Sequence, residues 1–195
     1  MAKLYYRYGA MNCGKSTALL QVAYNYEERG MHILLIKPAV DTKGSDQIVS
    51  RIGSTRKVHM LAPPDVNIAK SVRQWNRDVE KVSCVLVDEA QFLAPEQVDQ
   101  LLELTVVDNI PVMAYGLRAD FQTQAFPGSK RLFELAHTME ELKTICRCGR
   151  KALFNGRKLN GTFIFEGSQV AIDGEGDIDY ESLCASCYAQ EKARS

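Results

Sequence analysis

Neither sign of charge is in excess in this chain: 24 Lys and Arg face 24 Asp and Glu among 195 residues. Without a basic surplus there is no electrostatic footprint for a nucleic acid or an anionic membrane, so any phosphate binding must be local. No apolar run approaches the ~20 residues that span a bilayer. The segment Met1-Ala2-Lys3-Leu4-Tyr5-Tyr6-Arg7 lacks the apolar stretch of a secretory signal, and the expectation is a cytoplasmic protein. Internal repeats and low-complexity tracts are absent, and 46% hydrophobic with 25% charged residues excludes a disordered or collagen-like chain. Histidine is scarce: His32, His59 and His137 stand apart without metal-ligand spacing and read as packing or surface residues. The single tryptophan, Trp75, lies in a charged helical stretch and reads as a packing anchor rather than a base-stacking platform.

What is there alternates. Aromatic-rich residues 3–8 read as a strand running into Gly9, followed by helix formers from Ser16 to Arg29 that Gly30 closes. Three continuous apolar runs, at 32–36, 82–87 and 110–115, read as parallel strands buried on both faces. Between them lie helix candidates at 68–80 and 95–107, the second opened by Pro95, and a further helical stretch is expected near 129–135. This order predicts an α/β fold, a parallel sheet flanked by helices with right-handed crossovers. From Ile145 onward glycines become frequent and short β-like runs such as 162–165 appear. The expected division is residues 1–141 for the nucleotide-binding part and 142–195 for a small C-terminal subdomain. At about fifty residues such a unit has a thin apolar core and commonly leans on a structural metal.

Gly9-Ala10-Met11-Asn12-Cys13-Gly14-Lys15-Ser16 matches Gly-x4-Gly-Lys-Ser/Thr, the phosphate-binding loop, with a strand before it and a helix after it. The spacing wraps backbone N–H groups around phosphates at the positive end of a helix, lets Lys15 reach the terminal phosphates and places the Ser16 hydroxyl on Mg²⁺. Val85-Leu86-Val87-Asp88 is a buried strand ending in a carboxylate, the way a second nucleotide motif brings Asp88 toward the magnesium ion. Glu89 follows at once, and on extended backbone its side chain points away from that of Asp88, free to accept a proton from an attacking hydroxyl or water. Residue chemistry alone therefore reaches a Mg²⁺-nucleotide phosphohydrolase or phosphotransferase on a P-loop NTPase (RecA-like) sheet.

Six cysteines are unevenly spread. Cys13 lies in the phosphate loop and reads as a small filler, and Cys84 reads as core. Cys146-Arg147-Cys148 and Cys184-Ala185-Ser186-Cys187 form two tight pairs, enough thiolates for a closed, structural Zn²⁺ site. Arg147, Arg150 and Lys151 would offset its negative charge.

The set Gly9–Ser16, Val87-Asp88-Glu89-Ala90-Gln91-Phe92, Tyr115-Gly116-Leu117-Arg118-Ala119-Asp120-Phe121, the paired cysteines and Tyr180 resembles the type II thymidine kinases, the zinc-containing cytosolic and bacterial class. The resemblance covers nearly the whole chain. It implies transfer of the ATP γ-phosphoryl group to the 5′-hydroxyl of thymidine, with Glu89 as general base and Asp88 and Gln91 at the nucleotide. It further implies that Phe121 stacks on thymine and that Met11 and Leu117 line the space around its methyl group. Val170, Ala171 and Ile172 would lie in a base-reading loop that Tyr180 anchors, and Asp41 and Thr42 in a segment approaching ATP. Arg118 is a candidate cationic helper. A homotetramer and feedback inhibition by thymidine triphosphate are also implied, with no nucleic-acid or membrane partner. After Ile172 the chain departs from the family's usual Ile-Gly-Gly, running longer and acidic through residues 173–179. Two rivals stand beside this reading: a RecA-like ATPase switch whose zinc segment binds a partner, and a kinase of the same fold acting on deoxyuridine or deoxycytidine.

Overall fold

The computed structural model describes residues 1–40, 46–169 and 177–194. In chain order the first elements are β1 (Leu4–Gly9), α1 (Lys15–Glu27), β2 (Ile33–Pro38), β3 (Gln47–Val49), β4 (Thr55–Lys57), β5 (Met60–Ala62), α2 (Ile68–Asp78) and β6 (Cys84–Val87). A 3-10 turn at Ala90–Phe92 leads to α3 (Pro95–Val106), β7 (Val112–Leu117), α4 (Pro127–Leu135) and β8 (Thr138–Glu141). The C-terminal elements are β9 (Thr144–Ile145), β10 (Lys151–Ala152), β11 (Phe154–Leu159), β12 (Thr162–Ile164), β13 (Ile178–Leu183) and α5 (Ala185–Lys192).

Six strands form one sheet in the order β5-β2-β6-β7-β1-β8, and every pairing in it is parallel. Both faces are covered, which is why these strands read as continuous apolar runs. Leu34, Ile36, Val85 and Val87 pack with Ile68 and Val72 of α2, Val98, Leu101 and Leu104 of α3 and Leu132 of α4. The alternate residues Ile33, Leu35, Cys84 and Leu86 face Leu19 and Ala23 of α1, joined by Ile48 and Val58 from the β3–β4 hairpin. Strand β7 lies between β1, which feeds the phosphate loop, and β6, which ends at Asp88, and this is the RecA-like P-loop NTPase arrangement. No helix among the described residues is long and apolar enough to cross a membrane.

The expected helices and central strands are present with shifted ends. Strand β7 starts later than the apolar run and continues through Gly116 to Leu117, because Tyr8 and Gly9 of β1 pair with those two residues. Gly116 permits a close approach: a Cβ there would stand 2.9 Å from Gln91 Oε1 and 3.1 Å from the Gln91 backbone nitrogen. Helix α4 starts at Pro127, ahead of the expected 129, since proline's missing N–H is no loss in the first turn. Strands β3, β4, β5 and β8 were not legible in the sequence; they are short, and β3, β4 and β8 present mostly exposed or half-buried residues without a clean period.

The C-terminal residues build separate antiparallel layers, a β9–β10 ribbon and a sheet ordered β12-β11-β13. Their core is Cys146, Ala152, Leu183, Cys184, Cys187 and Tyr188, with Phe154, Phe163 and Phe165 packed against it.

Trp75 meets His59 edge-on, ring centroids 5.7 Å apart, beside the main core. His59 Nδ1 accepts the Leu35 N–H at 2.9 Å while the His59 N–H donates to Leu35 O at 3.0 Å, extending the β2 edge. Burial, then the nearby Arg56 charge, holds the imidazole below its ordinary value of 6.5. The unfolded chain therefore takes up the proton first, and His59 costs stability as pH falls below 6.5. A thermal midpoint measured from about pH 7.5 down to about pH 5.5 should fall. In His59→Asn, whose carbonyl can still accept the Leu35 N–H, that fall should be shallower; an unchanged slope would assign it to other groups.

Candidate active site

The phosphate loop begins where β1 stops. A Cβ on Gly9 would lie 2.5 Å from both Cys13 Sγ and Leu142 O, so only glycine lets the loop fold back there. Asn12 and Gly14 take the left-handed conformation, φ 65° and 82°, and turn the chain into α1. Lys15 is buried, and its Nζ donates to Ala10 O at 3.0 Å, lying back across the loop. The Ser16 hydroxyl donates to Asp88 Oδ2 at 3.4 Å, which joins the loop to the end of β6.

Glu89 takes the left-handed conformation, φ 48°, at the start of the 3-10 turn. A non-glycine residue held there stores about 1–3 kcal/mol of strain, a cost that clusters at functional sites. Gln91, fully buried, holds the carboxylate: its Nε2 donates to Glu89 Oε2 at 2.6 Å, and its Oε1 accepts the Leu117 N–H at 3.0 Å. The Leu117 carbonyl accepts from the Tyr6 and Ser129 hydroxyls, both at 2.7 Å. Both backbone groups of Leu117 are thus fixed beside the acid. Burial pushes the Tyr6 phenol well above its ordinary range, keeping it a donor. Met11, Lys15, Ser16, Arg51, Glu89 and Leu117 line one cavity of about 210 Å³.

Past Leu117, Arg118 turns away and lines a second cavity with Tyr8, Asp120 and Phe133. Phe121 is buried, with the Arg157 guanidinium 3.8 Å from its ring centroid. Arg157 also donates from Nε to the Tyr180 hydroxyl at 2.9 Å, from Nη1 to Ser168 O at 2.7 Å and from Nη2 to Gln169 O at 2.8 Å. A fully buried guanidinium needs that many acceptors to offset its lost hydration.

The four paired cysteines converge. All four Sγ atoms lie within 4.8 Å of one another, and Cys148 and Cys184 are 3.5 Å apart, too far for a disulfide. A tetrahedron with Zn–S near 2.3 Å has edges of about 3.8 Å, so the donor set fits a closed thiolate site. The Cys187 N–H and neighbouring thiols hold Cys184 down to about 6, whereas Cys187, tied by hydrogen bonds to Cys148 and Cys146, is pushed up to about 12. Like charges this close cannot all ionise without a cation among them. These four residues can bind a metal ion.

A family model described as thymidine kinase matches residues 2–188. The chain belongs to the thymidine kinase family. The thymidine kinase of Legionella pneumophila (strain Paris) is 50% identical over 189 residues, covering 96% of this chain and 88% of that protein. That of Enterobacteria phage T4 is 46% identical over 186 residues, 94% of each chain. That of Ruegeria pomeroyi is 48% identical over 186 residues, 94% of this chain and 92% of the relative.

Of the residues singled out in the sequence, the structure brings together the phosphate loop, Asp88, Glu89, Gln91 and Leu117, and separately Phe121 with Tyr180 through Arg157. Arg118 is not at the phosphate-loop cavity. Asp41, Thr42, Val170, Ala171 and Ile172 lie outside the described residues. Sequence reasoning missed Arg51, on the β3–β4 turn, and Arg157. Neither has a motif around it; Arg157 stands beside Lys158 in the Phe154–Leu159 strand, and only its burial in the fold sets it apart from that neighbour.

Proposed function

We propose that this chain transfers the γ-phosphoryl group of ATP to the 5′-hydroxyl of thymidine, giving thymidine monophosphate and ADP. One observation carries the reading: in a chain about half identical to thymidine kinases, the Glu89 carboxylate lines the same cavity as Lys15 and Ser16. An acid so placed is within reach of the phosphate loop's terminal phosphate, as an acceptor for the proton of an attacking hydroxyl must be.

The 5′-oxygen forms a bond to the γ-phosphorus while the bond to the β-phosphate's bridging oxygen breaks, ADP leaves, and the hydroxyl proton passes to Glu89. Phosphoryl transfer needs placement and charge stabilisation more than covalent help. The loop amides and Lys15 supply this once the ammonium exchanges Ala10 O for phosphate oxygens, and Arg51 lines the cavity as a further cation. Ser16 and Asp88, already 3.4 Å apart, would hold Mg²⁺, which when bound offsets phosphate charge. The cysteine cluster would hold Zn²⁺ as a structural ion. Met11 and Leu117 in the cavity wall fit a role beside the thymine methyl, worth about 1–3 kcal/mol of discrimination. Phe121, Tyr180 and the segment 170–172 complete the base site in this reading. A homotetramer and inhibition by thymidine triphosphate are carried over from the family.

Product analysis after incubation with Mg-ATP and thymidine, with deoxycytidine and no-acceptor controls, tests the proposal. Thymidine monophosphate is the expected product. ADP without any phosphorylated nucleoside would overturn it in favour of an ATPase, and a preference for deoxycytidine would reassign the substrate.

A further inference from the structure

Met11 sits inside the phosphate loop, yet both of its backbone groups are taken by the C-terminal sheet. Its N–H donates to Asn155 Oδ1 at 2.7 Å, across 144 residues of sequence, and its carbonyl accepts from the Ser182 hydroxyl. Asn155 and Ser182 are directly opposite one another in the β11–β13 ladder, so one cross-strand pair grips one peptide unit on each side. The same Asn155 uses its Nδ2 to hold Ala119 O at 2.8 Å, in the segment between Leu117 and Phe121. Asn155 is buried, and both ends of its amide are satisfied by main chain that belongs to other parts of the fold. The Met11 N–H is therefore withdrawn from the set of loop amides that can face a phosphate, while Asn12 and Gly14 beyond it turn the chain toward α1.

We infer that Asn155, with Ser182 opposite it, is a positioning residue for phosphoryl transfer: it sets the phosphate loop and the Leu117–Phe121 segment at a fixed spacing. Asn155 does not line the phosphate-loop cavity. It acts through Met11 and Ala119, and so through the donor side and the acceptor side at once. A near-attack geometry tolerates little displacement, and a shift of about 1 Å at a remote support can cost on the order of a hundredfold in rate. The inference rests on the proposed kinase reading for its acceptor half only; the grip on the phosphate loop stands whatever the acceptor is.

The test uses the full chain and three variants, Asn155→Ala, Asn155→Asp and Ser182→Ala, each checked for metal content and thermal midpoint. Equilibrium binding of Mg-ATP without nucleoside reads the loop, and kcat and KM for thymidine read the spacing. Asn155→Ala should weaken Mg-ATP binding roughly tenfold, on the scale of one lost hydrogen bond, and lower kcat further. Asn155→Asp keeps the acceptor for the Met11 N–H and loses the donor to Ala119 O, so it should largely restore Mg-ATP binding while kcat stays low. Ser182→Ala should give a smaller loss, and combined with Asn155→Ala the two should fall short of adding. A lowered midpoint with Mg-ATP binding and kcat within about twofold of the parent would make these bonds merely structural and overturn the inference. Should Asn155→Ala fail to fold, Asn155→Asp and Ser182→Ala decide on the same criterion. If the parent phosphorylates no thymidine, the kinase reading fails, and Mg-ATP binding still decides the grip on the loop.

Discussion

A Glu89→Gln variant should bind Mg-ATP within about threefold of the parent and turn over roughly 10²–10⁴ times more slowly, the range a positioned proton acceptor supplies. Glutamine is the informative replacement because it leaves the geometry almost untouched. Its side-chain carbonyl can still accept from Gln91 Nε2, so the bridge from residue 89 through Gln91 to the Leu117 N–H remains. The left-handed backbone at residue 89 is no worse for Gln than for Glu. What disappears is the capacity to take a proton and keep it while ADP leaves. Single-turnover measurements with saturating Mg-ATP would place the loss in chemistry rather than in product release. A comparable loss of Mg-ATP affinity would instead make Glu89 part of nucleotide binding, and full turnover would remove it from the reaction.

Loss of the metal site should have the second large effect. Cys184→Ser, or stripping the metal with a strong chelator, should remove zinc, melt the C-terminal layers and abolish turnover. Three of the six buried residues in that core, Cys146, Cys184 and Cys187, are among the thiols that would hold the ion, so little apolar area remains to hold the unit together. Structural zinc contributes about 10–16 kcal/mol in small domains, comparable to the whole stability of about 5–15 kcal/mol of an ordinary protein. Cys184 also caps α5, accepting the Cys187 N–H at 3.5 Å. From α5 the effect reaches the site directly, because the Tyr188 hydroxyl donates to Phe121 O at 2.6 Å. Metal analysis, a thermal melt and product formation on the same sample are the checks. A zinc-free Cys184→Ser protein with the parent's melt and activity would end the structural-metal assignment.

Much of this is legible in the sequence because the chemistry is local in the chain. A loop that wraps phosphate must place its glycines, lysine and hydroxyl at set intervals, so Gly9 to Ser16 announces itself. Asp88 and Glu89 are adjacent and end an apolar run. Close cysteine pairs mark a metal site wherever they meet. Arg118 shows the limit of such reading: it lies beside a recognisable segment, yet only the path of the chain after Leu117 decides that it faces away from the phosphate-loop cavity, while Arg51 arrives there on a hairpin that carries no sequence signal. Gln91 was placed at the nucleotide by resemblance, but its bond to the Leu117 N–H spans 26 residues and depends on β6 and β7 being neighbours.

The sequence by itself therefore determined the class of chemistry, the phosphate loop, the carboxylate pair and the donor set for a metal, since each is written in residues a few positions apart. Only the tertiary structure decided which groups hold those residues at working distance: Gln91 on Glu89, Arg157 across Phe121, Asn155 and Ser182 on Met11. Those partners come from the 3-10 turn after β6 and from strands β11 and β13, elements that only tertiary packing brings to the site. A hydrogen bond between residues 144 positions apart leaves no mark in local spacing.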